Sequence, residues 1–534
     1  MQKKFSFKLS PEQALSTPVI EQAILRQSGI KRASLQGFSI TKKSIDARGR
    51  QPHINLTVNA FIDEPYTKSN DEEIVLRDVH KAKNSVLIIG AGPAGLFAAL
   101  KLIEQGIKPL IIERGKDVRA RRRDLAILNK EGVINPESNY CFGEGGAGTY
   151  SDGKLYTRSN KRGNIQRILN LFMQFGAEEK IVYESHPHIG TNKLPHIITA
   201  MREQIQASGG IFLFEKKLAD LNVSNDQIES IITNDGDILK ADAYILATGH
   251  SARDIFLLFH QKKLIIEQKP FALGVRIEHP QSIIDSIQYH CTVRDQYLPP
   301  ASYSLIEQVN SKGVFSFCMC PGGIIAPAST APGELVVNGW SPSKRNNPFA
   351  NSGIVVQVNN QDVIDYFKKT GSEILKQKNF ESSPLLFMHF QQAVETAAYN
   401  SGGGKFVAPA QRMADFVNNK TSASLPDCSY LPGINSVDLG DVLPSFIHQS
   451  LQKAFVEFGK KMRGYFTNEA VVVATESRTS SPVRIPRHEK TLQHVQLKNL
   501  YPCGEGAGYA GGIVSAAMDG ERVAATITAQ LSRQ

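Results

Sequence analysis

The spacing of apolar residues changes character several times along the chain. Residues 11–27 can form a helix, and 34–45 and 54–62 carry strand-like residues around the turn signal ARGRQP. A polar stretch over 67–84 reads as a linker or an exposed helix, so residues 1–83 look like a small α+β unit. The pattern then hardens. SVLII at 85–89 is a buried strand, 93–105 is helical and 108–112 returns to strand: one βαβ unit, which argues a parallel sheet. A helix over 197–207 and strands over 210–214, 228–233 and 243–246 follow. From 269 to about 435 the pattern turns irregular, with short β segments such as 313–318 and 334–337 between Pro-, Gly-, Ser- and Asn-rich turns. A helix over 445–461, a strand over 469–474 and a glycine-rich turn lead into a final helix. The expected class is α/β: a Rossmann-type, doubly wound parallel sheet from 84–268 and 439–534. It carries an inserted α+β domain, 269–438, and the small N-terminal α+β domain, 1–83.

The junction of that first strand and helix is the most informative stretch. VLIIGAGPAGLFAALKLIEQGIKPLIIERG places Gly90, Gly92 and Gly95 in the spacing GxGxxG. Alone the spacing is weak. It follows a strand, opens a helix at Pro93 and Ala94, and leads to a second strand ending at Glu113, and that context makes it strong. Gly90 turns the chain out of the strand, Gly92 offers bare backbone to a pyrophosphate, and Gly95 lets the helix pack on the sheet. The helix N-terminus presents N–H groups and a positive dipole end to phosphate. Glu113, followed by Arg114, can accept hydrogen bonds from both ribose hydroxyls and would repel the 2′-phosphate of NADP. The rival is a βα turn with chance glycines.

The fingerprint does not separate FAD from NAD; three later segments favour FAD. CFGEGGAGTYSDG, 141–153, is a loop whose Gly145, Gly146, Gly148 and Thr149 allow close approach to a flat ring. YILATGH, 244–250, is a strand whose end, Ala247, Thr248 and Gly249, returns the backbone to the dinucleotide. YPCGEGAGYAGGIVSAA, 501–517, carries Gly504, Glu505, Gly511, Gly512 and Ile513 into a helix. Its N-terminus can face the pyrimidine end of an isoalloxazine, which is anionic when reduced. Ordinary turn chemistry explains each loop alone, but the ordered set is hard to reach by chance.

This order resembles the glutathione-reductase-type FAD superfamily, in its one-Rossmann branch. FGEGGAGTYSDGKL, HIGTNKL, ATGHSARD, FALGVRIEHP, FCMCPGG, SRTSSPVRIPR and CGEGAGYAGGI resemble, more closely, a bacterial family of FAD-dependent dehydrogenases with no assigned reaction. The resemblance spans nearly the whole chain. It implies an FAD-binding domain built from two stretches, an inserted substrate domain and tightly bound FAD, and leaves the substrate blank. A second GxGxxG in a βαβ frame for NAD(P)H is missing, because 143–148, 401–404 and 504–508 lack the frame. A CxxC pair after the first helix is missing too, so the electron donor stays open.

Composition narrows the setting. A chain of 534 residues, 41% hydrophobic and 21% charged, can bury a sizeable core. The net charge of +10 would suit an acidic partner, yet Lys and Arg are mostly scattered, which favours a basic surface over a nucleic-acid site. Six cysteines make no disulfide framework. MQKKFSFKLS lacks a signal-type apolar stretch, and the longest uncharged apolar segment, 85–100, is shorter than the ~20 residues a membrane span needs. The expected setting is the cytoplasm, with no membrane partner.

Candidate chemistry lies outside the glycine loops. Cys318 and Cys320 in FCMCPGG could be a redox couple or a thiol facing the flavin, against simple packing. His186, His188 and His196 lack the carboxylates of a metal site, so no metal is expected, while His188 could donate a proton beside the flavin. Arg478, Arg484 and Arg487 punctuate SRTSSPVRIPRH and suit an anionic substrate, against plain surface solvation. One of Arg119, Arg121, Arg122 and Arg123 is expected to cap the pyrophosphate. The catalytic candidates are thus His188, Cys320 and Arg484. The expected function is an FAD-dependent oxidoreductase exchanging hydride between flavin N5 and a small substrate, anionic or unsaturated. The rivals are an RNA- or tRNA-linked flavoprotein, motivated by the pI and the N-terminal unit, and a non-catalytic FAD-binding protein.

Overall fold

The computed structural model describes residues 1–67, 73–157 and 163–533. Two sheets frame the molecule. The first has five parallel strands, in the order Leu500–Pro502, Ala243–Leu246, Ser85–Ile89, Lys108–Glu113 and Ile211–Phe214. Val86 to Ile89 are all buried, the continuous apolar run that a parallel strand covered on both faces requires. Helix Pro93–Glu104 packs beside the last helix, Ile513–Leu531. The contact is close enough that a Cβ on Gly520 would stand 2.1 Å from the Ala94 carbonyl oxygen. The C-terminal segment therefore adds both an edge strand and a helix beside the fingerprint.

The second sheet has seven strands, in the order Ile306–Val309, Lys312–Cys320, Phe349–Val358, Phe271–Pro280, Val471–Glu476, Ala408–Arg412 and Ile434–Ser436. All neighbours run antiparallel except the last pair. The irregularity expected over 269–435 gives way to long strands. Phe271–Pro280 is buried at every position but Pro280, and an interior strand covered on both faces has no alternation to read. Helices Leu386–Gly402 and Ser445–Lys461 supply cover, with Phe387, Phe390, Ile447 and Phe455 in one core with Ile277 and Val472. The boundary expected at 438 shifts accordingly. Val471–Glu476 is a strand of the seven-stranded sheet, since Val471 to Val473 pair with both Phe271–Pro280 and Ala408–Arg412, and helix Ser445–Lys461 packs on that sheet.

The N-terminal unit is a separate three-stranded antiparallel sheet, ordered Gln2–Leu9, His53–Ile62, Leu35–Asp46, with its own core of Phe5, Ile24, Leu56 and Val58. Strand Gln2–Leu9 escaped the sequence reading because an edge strand studded with Lys3, Lys4 and Lys8 shows little apolar pattern. The helix expected over 11–27 divides into a 3-10 turn, Gln13–Leu15, and helix Thr17–Ser28, which has a proline in its first turn. Residues 73–84 of the expected linker form no helix, and 68–72 lie outside the described residues.

Candidate functional site

A cleft of about 700 Å³ opens where the C-terminal ends of the parallel strands meet the seven-stranded sheet. This is where open α/β sheets place their ligands. Its glycines divide by role. Gly90 leaves its strand at φ +108°, and a Cβ there would lie 2.4 Å from the Ala247 carbonyl oxygen. A Cβ on Gly95 would lie 2.0 Å from the Gly90 carbonyl oxygen. One on Gly92 would meet only the Gly146 Cα, at 3.9 Å. Gly90 and Gly95 thus serve the fold, and Gly92 keeps a cradle clear for what enters the cleft.

The expected cofactor contacts converge here. The fingerprint contributes Gly90, Gly92, Pro93 and Ala94, and the second strand Glu113 and Arg114. The glycine-rich loop brings Gly146 and Gly148, and the ATG strand end Ala247, Thr248 and Gly249. The C-terminal turn supplies Glu505, Gly511, Gly512 and Ile513, so two helix N-termini open on one space. Gly95, Gly145, Thr149 and Gly504 stand behind this lining. Gly145 N donates to Ala91 O (2.8 Å), Thr149 Oγ1 to Glu144 O (2.8 Å) and Gly504 N to Asp519 Oδ2 (2.8 Å).

Glu113 also holds the cradle together. Its carboxylate accepts the N–H groups of Ala91 (2.9 Å), Gly115 (2.9 Å) and Gly143 (3.0 Å), tying the fingerprint turn to the glycine-rich loop. Arg114 lies over the Phe142 ring at 4.3 Å and pairs with Asp254. The arginine cap expected on the pyrophosphate is not formed by Arg121. That side chain is wholly buried and donates to the carbonyls of Asn139, Tyr140, Gly143 and Glu144, stapling the loop from behind. Arg119, Arg122 and Arg123 are exposed. A phosphate-capping arginine and a loop staple look identical in sequence.

None of the three catalytic candidates lines the cleft. His188 is half-buried, 3.3 Å from Ser343 O, and burial together with Arg345 holds it down to about 4. Cys320 is fully buried, one layer behind Cys318, which does line the cleft. Arg484 is exposed, 4.9 Å from the Tyr509 ring. Its neighbours in the motif are buried. Arg478 borders the cleft with its guanidinium bound by Glu395 (2.8 Å), Glu334 (3.3 Å) and Thr330 (2.7 Å). Arg487 is bound by Asp519 (2.6 Å).

Three further ionisable groups that face the cleft, His250, Asp152 and Lys154, lie in or beside the glycine motifs but carry no mark of their own in the sequence. His250 closes the ATG strand end, its Nδ1 3.8 Å from Glu505 Oε2. Burial lowers His250 below its ordinary value, while Glu505 pulls the other way. Lys154 and Asp152 end the glycine-rich loop. Asp152 takes Arg345 at 2.8 Å and Lys154 at 3.7 Å; burial opposes its charge, but these two cations keep it below the usual carboxylate range. Their only signal is position, directly after a glycine loop or strand-end glycine.

Residues 270–479 match a family described as FAD-dependent protein, C-terminal domain-like, and residues 83–130 match an FAD binding domain. Residues 195–289 match Glucose inhibited division protein A, and 1–61 a domain of unknown function. An uncharacterized protein of Clostridium beijerinckii is 37% identical over 524 residues, 95% of each chain. The thiamine thiazole synthase of Aeropyrum pernix is 25% identical over 185 residues, 32% of this chain and 56% of that one. Among solved structures, glycine oxidase from Bacillus cereus is similar at 14% identity, over 84% of this chain and 96% of that one, with a TM-score of 0.30. The halogenase PltM in complex with FAD is similar at 11%, over 85% and 71%, with a TM-score of 0.39. No helix among the described residues is long and apolar enough to cross a membrane.

Proposed function

The chain belongs to a bacterial family of FAD flavoproteins, and on that premise we propose that it is an FAD-dependent oxidoreductase. Its substrate would be a small molecule admitted between the glycine cradle and the seven-stranded sheet. FAD, when bound, supplies two-electron hydride chemistry at N5. Gly92 and the N-terminus of helix Pro93–Glu104 would hold its phosphates, Glu113 its ribose, and the N-terminus of helix Ile513–Leu531 would face the pyrimidine end of its ring. His250 would hold or release a proton, with Glu505 close enough to stabilise the charged form. The observation that carries the reading is that one cleft joins a backbone cradle to His250, Glu505, Lys154 and Cys318.

Anaerobic reduction of the purified yellow protein by NADH or NADPH, then reoxidation with candidate acceptors, tests it. Inertness toward every donor and acceptor counts against it. A second reading, an RNA-linked flavoprotein, is favoured by one fact. Residues 1–61 hold ten Lys and Arg against three Asp and Glu, or seven of the chain's ten net positive charges. A gel shift with total RNA that fades with salt supports that reading; no shift at low salt ends it.

A further inference from the structure

We infer that Cys318 and Cys320 form a dithiol–disulfide couple on the seven-stranded-sheet wall of the cleft. It would pass an electron pair from a small external dithiol to the FAD bound there, and to that extent it rests on the oxidoreductase reading. The backbone supplies the first observation. Strand Lys312–Cys320 pairs regularly with Phe349–Val358 as far as Phe317, then loses register until Cys320 opposite Asn351. Cys318 sits in that irregularity at φ +46°, a region L-residues seldom adopt. Two cysteines one residue apart on an extended strand close a disulfide only when the backbone leaves the extended form, and here it has left it.

The charges supply the second observation. Lys154 Nζ lies 3.7 Å from both sulfur atoms and also donates to Met319 O. Arg276, wholly buried, donates to Cys318 O at 2.7 Å and lies 3.5 Å from Cys320 Sγ. Its carboxylate partner Glu476, 2.8 Å away, is pushed up to about 7 by burial. Contact with Cys320, then Lys154 and Arg276, holds the Cys318 thiol well below its ordinary value, while burial pushes Cys320 up. A cleft-facing thiol made more acidic beside a buried, less acidic partner is the arrangement of an attacking and a resolving thiol. Thiols that merely fill a sheet interior need neither two cations nor a left-handed backbone.

On oxidation the couple loses two protons and two electrons and gains one S–S bond. The electrons and one proton go to oxidised FAD, and the other proton leaves to solvent. The external dithiol then restores both thiols by exchange and becomes a disulfide itself. A thiol source of electrons also answers the missing second dinucleotide fingerprint.

The test uses holoprotein under anaerobic conditions with dithiothreitol as the dithiol. Flavin absorbance should bleach in the wild type and bleach at least about tenfold more slowly in Cys318→Ser and in Cys320→Ser. Dithionite should bleach all three, showing an intact cofactor. Independently, the air-oxidised peptide bearing both cysteines should be lighter by two hydrogens and resist iodoacetamide until reduced. Wild-type bleaching rates in both variants, or full alkylation of the oxidised protein, overturn the couple. A wild type that NADPH bleaches and dithiothreitol does not overturns the couple alone. A protein that never takes up flavin sinks the FAD reading, and peptide mapping then decides the couple.

Discussion

The two walls of the cleft are built by opposite means. On the parallel-sheet side the cradle is built of backbone: glycines at strand ends and two helix N-termini, with the Glu113 carboxylate bound to three N–H groups and charged side chains such as Glu505 at the margin. On the seven-stranded side it is side-chain charge backed by counter-charge: Arg478 with Glu334 and Glu395 and, behind the lining, Arg276 with Glu476, while Lys154 reaches over from the glycine-rich loop to two thiols. A backbone wall needs no partner behind it, because its N–H groups are presented by the fold itself. A charged wall holds only while each buried ion keeps its partner. The first should therefore fail by losing its ligand, the second by losing stability.

The sharpest break of the comparison is a pair of glycine variants. Gly92→Val should leave far-UV circular dichroism unchanged and abolish flavin absorbance, since the added side chain enters only open cleft. Gly95→Val should yield no folded protein, because its Cβ strikes the Gly90 carbonyl at 2.0 Å. Retained yellow colour in the Gly92 variant would refute the cradle.

Next in size is Glu395→Ala. Glu395 is fully buried, held down to about 2 by Arg253 and Arg478 against the cost of burial. Removing it leaves two guanidinium groups sharing Glu334, at a cost of about 3–5 kcal/mol. Denaturant unfolding should show that loss, with flavin still bound by whatever remains folded. A loss under about 1 kcal/mol would mean the wall does not depend on its ion pairs.

The same contrast explains what could be read from the sequence. The backbone wall was legible because its parts are contiguous motifs, each carrying glycine where a side chain would collide or obstruct. The charged wall was not. Arg478, Glu395 and Arg253 meet across more than 80 positions of sequence, and nothing local separates Arg478 from Arg484. Cys318 and Cys320 were visible as a pair, but Lys154 and Arg276, which give them meaning, come from elsewhere in the chain. Strands such as Phe271–Pro280 hid for a related reason: burial on both faces erases the period that marks a strand.

Glu278 gives a smaller, pH-dependent effect within the seven-stranded sheet. Burial pushes it up to about 7 from an ordinary 4.5, although Ser429 donates to it through both N and Oγ. The folded chain therefore binds the extra proton between those values, so stability falls as pH rises from 4.5 through 7 and the full cost stands above 7. Glu278→Gln, which stays neutral, should exceed the wild type by up to about 3 kcal/mol at pH 8 and match it near pH 4.5. Equal stability across that range would show that Glu278 ionises without cost.

The smallest effect belongs to Arg484, and it tests where the charged wall ends. Arg484 shares SRTSSPVRIPRH with Arg478 and Arg487, yet it is exposed, with its guanidinium 4.9 Å from the Tyr509 ring. An exposed cation–π contact is worth about 0.5–1 kcal/mol. Arg484→Ala should therefore cost no more than that in urea unfolding and leave the flavin spectrum unmoved, whereas Arg487→Ala strands the buried Asp519. Three arginines of equal promise in sequence thus separate by burial alone. A shifted flavin spectrum in the Arg484 variant would bring that residue back into the cleft and erase the boundary.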